Sequence, residues 1–251
     1  MLNFDRLKLA IPLSLCSNIK EELFENVVEG NLFVSNEILN ELNGVNLIQL
    51  NYQDNLLVFD ITGEFNARRN YLGLMNKDNI KNVLEKFKNL GFITFEVEQV
   101  IDQTKVFLCD VTQDIFVLSD IGKILCDLKQ KLQINSGRYY IHKYPNSGIS
   151  VNPIAKSKKE TFNIYPKYNQ LRLKKQERYR QCIGYEYFEK IKNMLRVELQ
   201  LKSYSLIRYY FNLKKNKEII LKDLLMSSEN PLIMKLAELG IDEDCMNAEV
   251  I

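Results

Sequence analysis

Between Leu195 and Lys202 the chain alternates without a break: Leu195, Val197, Leu199 and Leu201 are apolar, while Arg196, Glu198, Gln200 and Lys202 are polar. Period two places the four apolar side chains on one face of a β-strand and the four polar ones on the other. The same reading predicts strands over residues 4–13 (ended by Pro12), Leu47–Tyr52, Leu56–Thr62, Phe92–Val97, Lys105–Val111, Tyr139–Lys143, Gly148–Val151 and Phe162–Tyr165. Asp54-Asn55 between two of these is a hairpin signal. Helical spacing predicts a helix over Asn76–Leu90, where Ile80, Val83, Leu84 and Phe87 recur at i, i+3, i+4 and i+7 and Gly91 supplies a stop. Further helices are expected over Ile19–Gly30, Ser35–Leu42 (with Ser35 as N-cap), Ile124–Leu132, the tyrosine-bearing run after Lys202, Glu218–Met226 and Pro231–Leu239. Residues 152–159 read as a mobile loop and the acidic stretch Glu238–Glu249 as a frayed end.

Strands and helices come in mixed clusters without β-α-β alternation. The expected fold class is therefore α+β, a mainly antiparallel central sheet flanked by helices. A chain of 251 residues can bury a proper core, and 46% hydrophobic with 26% charged residues is ordinary for a soluble globular protein. No apolar run approaches the roughly 18–20 residues that span a bilayer. The opening MLNFDRLKLAIPL carries Asp5 ahead of a short, interrupted apolar run, a poor signal peptide and a good first strand. Five scattered cysteines without close pairs (Cys16, Cys109, Cys126, Cys182, Cys245) suggest a reducing, cytoplasmic setting and no cysteine-type zinc site.

The net charge of +2 conceals a strong asymmetry: residues 156–217 hold 17 Lys and Arg against 5 Asp and Glu, whereas 1–155 are net −4 and 218–251 net −6. A basic block between acidic flanks is the footprint expected of a nucleic-acid binder. Within it, Tyr165, Lys167, Tyr168, Arg172, Lys174, Lys175, Arg178, Tyr179 and Arg180 interleave rings with cations, which suits base stacking and phosphate contacts; a solvated basic helix is the plainer alternative.

Three acids sit in strand-like, otherwise apolar surroundings: Asp110 and Asp114 in VFLCDVTQD, and Glu198 in LRVELQLK. If those strands are neighbours, two or three carboxylates converge, and oxygen-only ligation suits Mg²⁺ or Mn²⁺. The alternative is that Asp114 begins a turn and Glu198 pairs with Arg196 or Lys202. Tyr204, Tyr209 and Tyr210 follow the Glu198 strand, and a phenolate can attack a phosphodiester when a cation polarises it. Tyr209 and Tyr210 diverge by about 100° on a helix, so at most one faces the metal. His142 is the only histidine, which rules out a two-histidine metal site; with no GxSxG, GxxxxGK[ST] or GxGxxG motif, serine hydrolase, P-loop ATPase and dehydrogenase readings fall away.

These segments resemble a family. FNIYPKYNQL followed by LRVELQLK and a tyrosine-bearing helix is similar to the "IYxKxxE … LRxExxLK" pattern of rolling-circle replication initiators, closest to the phage and plasmid replication proteins of the gene II/gene X type. VFLCDVTQD resembles the "RxDxxxD" strand of that group and NFDRLKLAIP its opening strand. The resemblance implies a replication-initiator-like sheet domain over 1–217, with 218–251 as a helical acidic tail. It also implies an endonuclease that nicks and rejoins one strand at an origin through a 5′-phosphotyrosine link. By position, Asp110, Asp114 and Glu198 take the metal, and Tyr165, Lys167, Arg196 and Lys202 fall on basic or aromatic motif positions. Tyr209 lies nearest the nucleophile's spacing, with Tyr210 and Tyr204 as alternates. Implied partners are DNA, single-stranded or as an origin duplex, together with a host helicase or polymerase and a second copy of the chain, and no membrane. Pro166, Gln170 and Leu108 depart from the family's Asp, Glu and Arg. The alternative is a non-catalytic origin-binding protein of the same ancestry.

Overall fold

Ten strands pair antiparallel throughout in the order β3-β4-β5-β6-β1-β8-β12-β11-β10-β9. In the first half these are β1 (Asn3–Pro12), β3 (Phe24–Val28), β4 (Asn31–Val34), β5 (Val45–Asn51) and β6 (Leu56–Thr62). In the second half they are β8 (Lys105–Phe116), β9 (Tyr139–Tyr144), β10 (Gly148–Pro153), β11 (Glu160–Pro166) and β12 (Met194–Leu201). A two-stranded piece joins β2 (Cys16–Ser17) to β7 (Thr94–Phe95). This computed structural model describes all residues except 29–30, 119, 135, 145–147, 156–158 and 242–251. The α+β class with a mainly antiparallel sheet flanked by helices is the architecture observed.

One face of the sheet carries the main core. Leu7, Leu9 and Ile11 of β1, Val111 of β8, Val197, Leu199 and Leu201 of β12, and Phe162 and Ile164 of β11 are all buried in it. Helices close over them: Ile80–Lys88 seats Phe87 on Phe59 with ring centroids 4.1 Å apart, and Ile121–Ile134, Tyr204–Tyr210 and Pro231–Glu238 complete the layer. Segment 218–241 belongs to that core, because Ile219, Leu221, Leu224, Leu232 and Leu236 join the same cluster and Lys105 forms a β-bridge with Ile220. The opposite face is polar in its middle. A small cluster of Ala10, Leu56 and Val58 flanks it at one end. A second, around Tyr179, Ile183, Phe188 and Met194, flanks it at the other.

Ser35 caps helix Asn36–Glu41, its side chain accepting from the Ile38 amide, and Asn55 adopts φ +56° in the β5–β6 hairpin. Of the helix expected over 19–30, residues 21–28 are instead a short 3₁₀ turn and the edge strand β3, paired to β4, while 29–30 lie outside the described residues. Its β-branched Val27-Val28 favour extended backbone once a partner strand is present. The strand expected over 92–97 shrinks to β7. A helix, Val97–Gln103, follows because Val97, Val100 and Ile101 form an apolar stripe. Of the loop expected at 152–159, Asn152 and Pro153 lie in β10, while 156–158 fall outside the described residues; so does the acidic end beyond Ile241. Cys16, Cys109, Cys126 and Cys182 are free thiols. Among the described residues no helix is long and apolar enough to cross a membrane.

Candidate functional site

Strand register assembles the polar face. Across β8 and β12, Asp114 stands opposite Arg196, Thr112 opposite Glu198 and Asp110 opposite Gln200. From β1, Arg6 stands opposite Asp110, and from β11, Asn163 and Tyr165 stand opposite Glu198 and Arg196. A bulge in β1 between Phe4 and Arg6 lets Phe4 stay in the core while Asp5 turns to the polar side.

Asp110 and Glu198 share this face as diagonal neighbours on adjacent strands. Glu198 accepts from Asn163 Nδ2 (3.2 Å), the Tyr165 hydroxyl (3.2 Å) and Gln200 Nε2 (2.8 Å). Asp110 is 4% exposed and its Oδ1 is buried without a hydrogen-bond partner. Arg6 does not supply one, because its guanidinium is spent on Asp60 (Nε–Oδ1 2.9 Å). Burial, then the Glu198 and Asp5 carboxylates, push the Asp110 carboxyl well above the usual range, with Arg6 and Lys202 only partly offsetting them.

Asp114 does not join that pair. Both its oxygens are taken by Arg196 (Nε–Oδ1 2.6 Å, Nη2–Oδ2 2.7 Å), whose Nη1 binds Asp5 Oδ1 at 2.7 Å. Burial would raise the Asp5 carboxyl, but Arg196 and then Lys167 outweigh it and hold Asp5 below its ordinary value. Among the described residues no group of three acidic, histidine or cysteine side chains forms a metal cluster, so the expected convergence of Asp110, Asp114 and Glu198 reduces to Asp110 with Glu198. Arg196 is 0% exposed and is therefore a structural cation, out of reach of a phosphate.

The three helix tyrosines part company. Tyr210 hydroxyl lies 3.0 Å from Glu160 Oε2 and 2.9 Å from Glu238 Oε2, and Tyr209 hydroxyl 3.0 Å from Glu238 Oε1. Glu160 alternates with Thr161 and Asn163, so it points to the helix-covered side. Tyr209 and Tyr210 thus stand behind the sheet from Asp110 and Glu198, because their helix packs Ile207 and Tyr210 into the main core. Burial and the two glutamates push the Tyr210 phenol far up, and the hydrogen bond to Glu238 raises Tyr209. Tyr204 packs edge-on to Phe107 (5.5 Å) beside the Ala10–Val58 cluster, at one end of the polar face. The tyrosine whose hydroxyl meets Glu198 is Tyr165, and burial and then the Glu198 carboxylate push its phenol well above the ordinary value too.

Of the expected DNA contacts, Arg172, Lys174, Lys175, Arg178 and Lys202 are exposed, while Lys167 is 1% exposed. Asp5, Asn163 and Gln200 were not singled out from the sequence. A charge just inside an apolar strand was the available signal for Asp5, but its orientation depends on the bulge.

The buried, unpartnered Asp110 has a measurable consequence. Its folded-state pKa lies above the unfolded value, so charging it costs stability as pH rises through that window, and the cost is complete above the folded pKa. Asp110→Asn is expected to raise the melting temperature by roughly 2–4 °C at pH 7.5 in EDTA, the shift of about 1 kcal/mol in a domain this size. The gain should vanish as pH falls towards 4. A variant less stable than wild type across the whole range would contradict the assignment.

No family model matches the sequence, and no curated protein matches it. Among solved structures the chain is similar to a rolling circle replication initiator protein from Geobacillus stearothermophilus, at 12% identity and a TM-score of 0.35, over 94% of this chain and 95% of that one.

Proposed function

We propose that the polar sheet face cleaves and rejoins one DNA strand with a divalent cation and a tyrosine nucleophile, as a rolling-circle replication initiator does. The observation that carries this reading is the buried Asp110 Oδ1 left unpartnered beside Glu198. A buried carboxylate of this kind is costly in a purely structural role, and a function that loads it accounts for the cost. Two carboxylates suffice for Mg²⁺ or Mn²⁺, which keep several waters and bind substrate phosphates. Asp110 and Glu198 would hold the ion, and when bound it would supply positive charge at the phosphate oxygens and favour the phenolate.

Tyr165 takes the place given on spacing to Tyr209, because its hydroxyl already meets Glu198. Its oxygen would attack phosphorus as its proton passes to Glu198; the bond to the 3′ oxygen would break and that oxygen would take the proton from Glu198, leaving a 5′-phosphotyrosine and a free 3′-hydroxyl. The exposed Arg172, Lys174 and Lys175 beyond β11 would draw the DNA backbone towards this face.

The test is incubation of the full chain with single-stranded and supercoiled circular DNA in Mn²⁺, Mg²⁺ or EDTA, followed by a denaturing gel that retains protein–DNA adducts. A metal-dependent adduct is expected that disappears in Tyr165→Phe and Asp110→Asn and survives in Tyr204→Phe, Tyr209→Phe and Tyr210→Phe. An adduct lost with one of the other tyrosines would sink the choice of nucleophile alone. Salt-sensitive binding with no cleavage under any condition would replace the enzyme with a non-catalytic DNA-binding protein.

A further inference from the structure

Beside Asp5, where β1 begins and β6 and β11 end, lies a recess of about 400 Å³. Its floor holds Lys167, 1% exposed, with no hydrogen bond to its ammonium among the described residues. The Tyr179 ring lies against it, with its centroid 5.3 Å from Nζ. That ring is itself fixed, since its hydroxyl donates to the Leu72 carbonyl. Around the lysine stand acceptors. Gln170 Oε1 and Gln176 Oε1 are both buried and both unpartnered. Asp5 and Glu64 add carboxylates to the same wall.

A nearly buried ammonium and two buried, unpartnered amide oxygens in residues of one recess mark a ligand site, because each unmade bond costs stability in the empty protein. The recess combines one cationic donor with several acceptors. Its complement is a ligand edge with one acceptor followed by donors. Among DNA bases only guanine presents that edge, with the O6 acceptor next to N1–H and the N2 amine. Adenine and cytosine offer a single donor group beside acceptors, and thymine places its one donor between two acceptors. Burial and the neighbouring Arg196 bring Lys167 down to about 8, so it remains mostly charged at neutral pH and able to donate.

We propose that this recess binds an unpaired guanine base, with Lys167 donating to O6 and the Gln170, Gln176 and carboxylate oxygens accepting from N1–H and the amine. The proposal rests on the reading that the adjoining face handles DNA, and it adds a sequence preference to it. Exposed Lys175 and Arg178 at the rim suit the phosphates flanking such a base.

The test is fluorescence anisotropy with the full chain in EDTA, so that cleavage plays no part. Labelled dT₁₂ is compared with versions carrying one central dG, dA or inosine, with free GMP as competitor. A single dG is expected to bind about tenfold more tightly than dA, the size of one good bidentate base contact. Inosine, which lacks the amine, should recover only part of that gain. Lys167→Met should abolish the preference. Gln176→Leu, at the wall and away from the charge network, guards against a folding defect: it should reduce the dG/dA ratio while keeping the wild-type circular-dichroism spectrum. Equal affinity for dG and dA, or a preference untouched by both substitutions, would overturn the proposal. So would GMP binding that dG-containing DNA fails to compete. Guanine preference without an adduct in Mn²⁺ would remove the nuclease reading and keep the pocket; an adduct without guanine preference would do the opposite.

Discussion

Arg196→Met is expected to cost about 3–5 kcal/mol of stability, the loss typical when one partner of a buried ion network is removed. Arg196 is 0% exposed and makes three hydrogen bonds to carboxylates from two other strands, Asp5 of β1 and Asp114 of β8. It ties together three adjacent strands of the sheet, β1, β8 and β12. Without it, two carboxylates face each other across a site largely shielded from water, with Lys167 the nearest remaining cation. Arg196→Lys keeps the charge but loses the fork that holds both Asp114 oxygens, and should fall between wild type and methionine. The deficit should depend on pH. Asp5 has a folded pKa below its unfolded value, so its pairing stabilises the native state above the unfolded pKa, and this is lost as pH falls through the folded one. The gap between wild type and Arg196→Met should therefore narrow in acid. Urea denaturation followed by circular dichroism at pH 7.5 and at about pH 3, below the ordinary aspartate pKa, measures it. A loss under about 1 kcal/mol at pH 7.5 would place Arg196 among ordinary surface pairs. Asp5→Asn/Asp114→Asn/Arg196→Met, which removes all three charges, should regain much of the loss.

Lys235→Met is the second large effect, at about 3 kcal/mol. Lys235 is 0% exposed and reaches Glu160 Oε1 at 2.8 Å, Glu238 Oε2 at 3.1 Å and the Tyr139 hydroxyl at 3.2 Å. Burial works against its charge, yet the Glu160 hydrogen bond and charge outweigh it and leave the ammonium above its usual pKa. The cluster pins helix Pro231–Glu238 to β11 and β9, so the helix should lose hydrogen-exchange protection before the central strands do. The loss is placed below that of Arg196 because the Tyr210 hydroxyl can still donate to Glu160. Glu160→Gln added to Lys235→Met should restore part of the stability by removing the stranded charge. Unchanged protection of residues 231–238 in the single variant would refute the anchoring role. The same cluster accounts for Tyr209 and Tyr210, whose hydroxyls are committed to holding this helix.

The strands with clean alternation were readable in the sequence because burial on one face imposes period two on the residues themselves. Leu195–Lys202 is the best case, and helix Ile80–Lys88 is its counterpart at period 3.6. The edge strand β3 was not readable. Its residues have no strong period, and its conformation comes from the partner β4. Asp110 and Glu198 were legible as candidates because a lone acid in an apolar strand breaks the local pattern. Asp114 broke it equally, and nothing in its neighbourhood along the chain distinguished it.

Sequence alone determined which residues lie on which face of the cleanly alternating strands, the α+β class that follows, and the concentration of positive charge in residues 156–217. Tertiary structure alone decided which faces meet. Strand pairing across 82 positions gave Asp114 to Arg196, and pairing across 35 gave Glu198 to Asn163. Helix packing carried Tyr209 and Tyr210 behind the sheet, and a bulge in β1 brought Asp5 to the front. The physical reason is range: periodicity is set by neighbours a few bonds away, whereas the partner of a charge is set by register and packing between segments far apart in the chain.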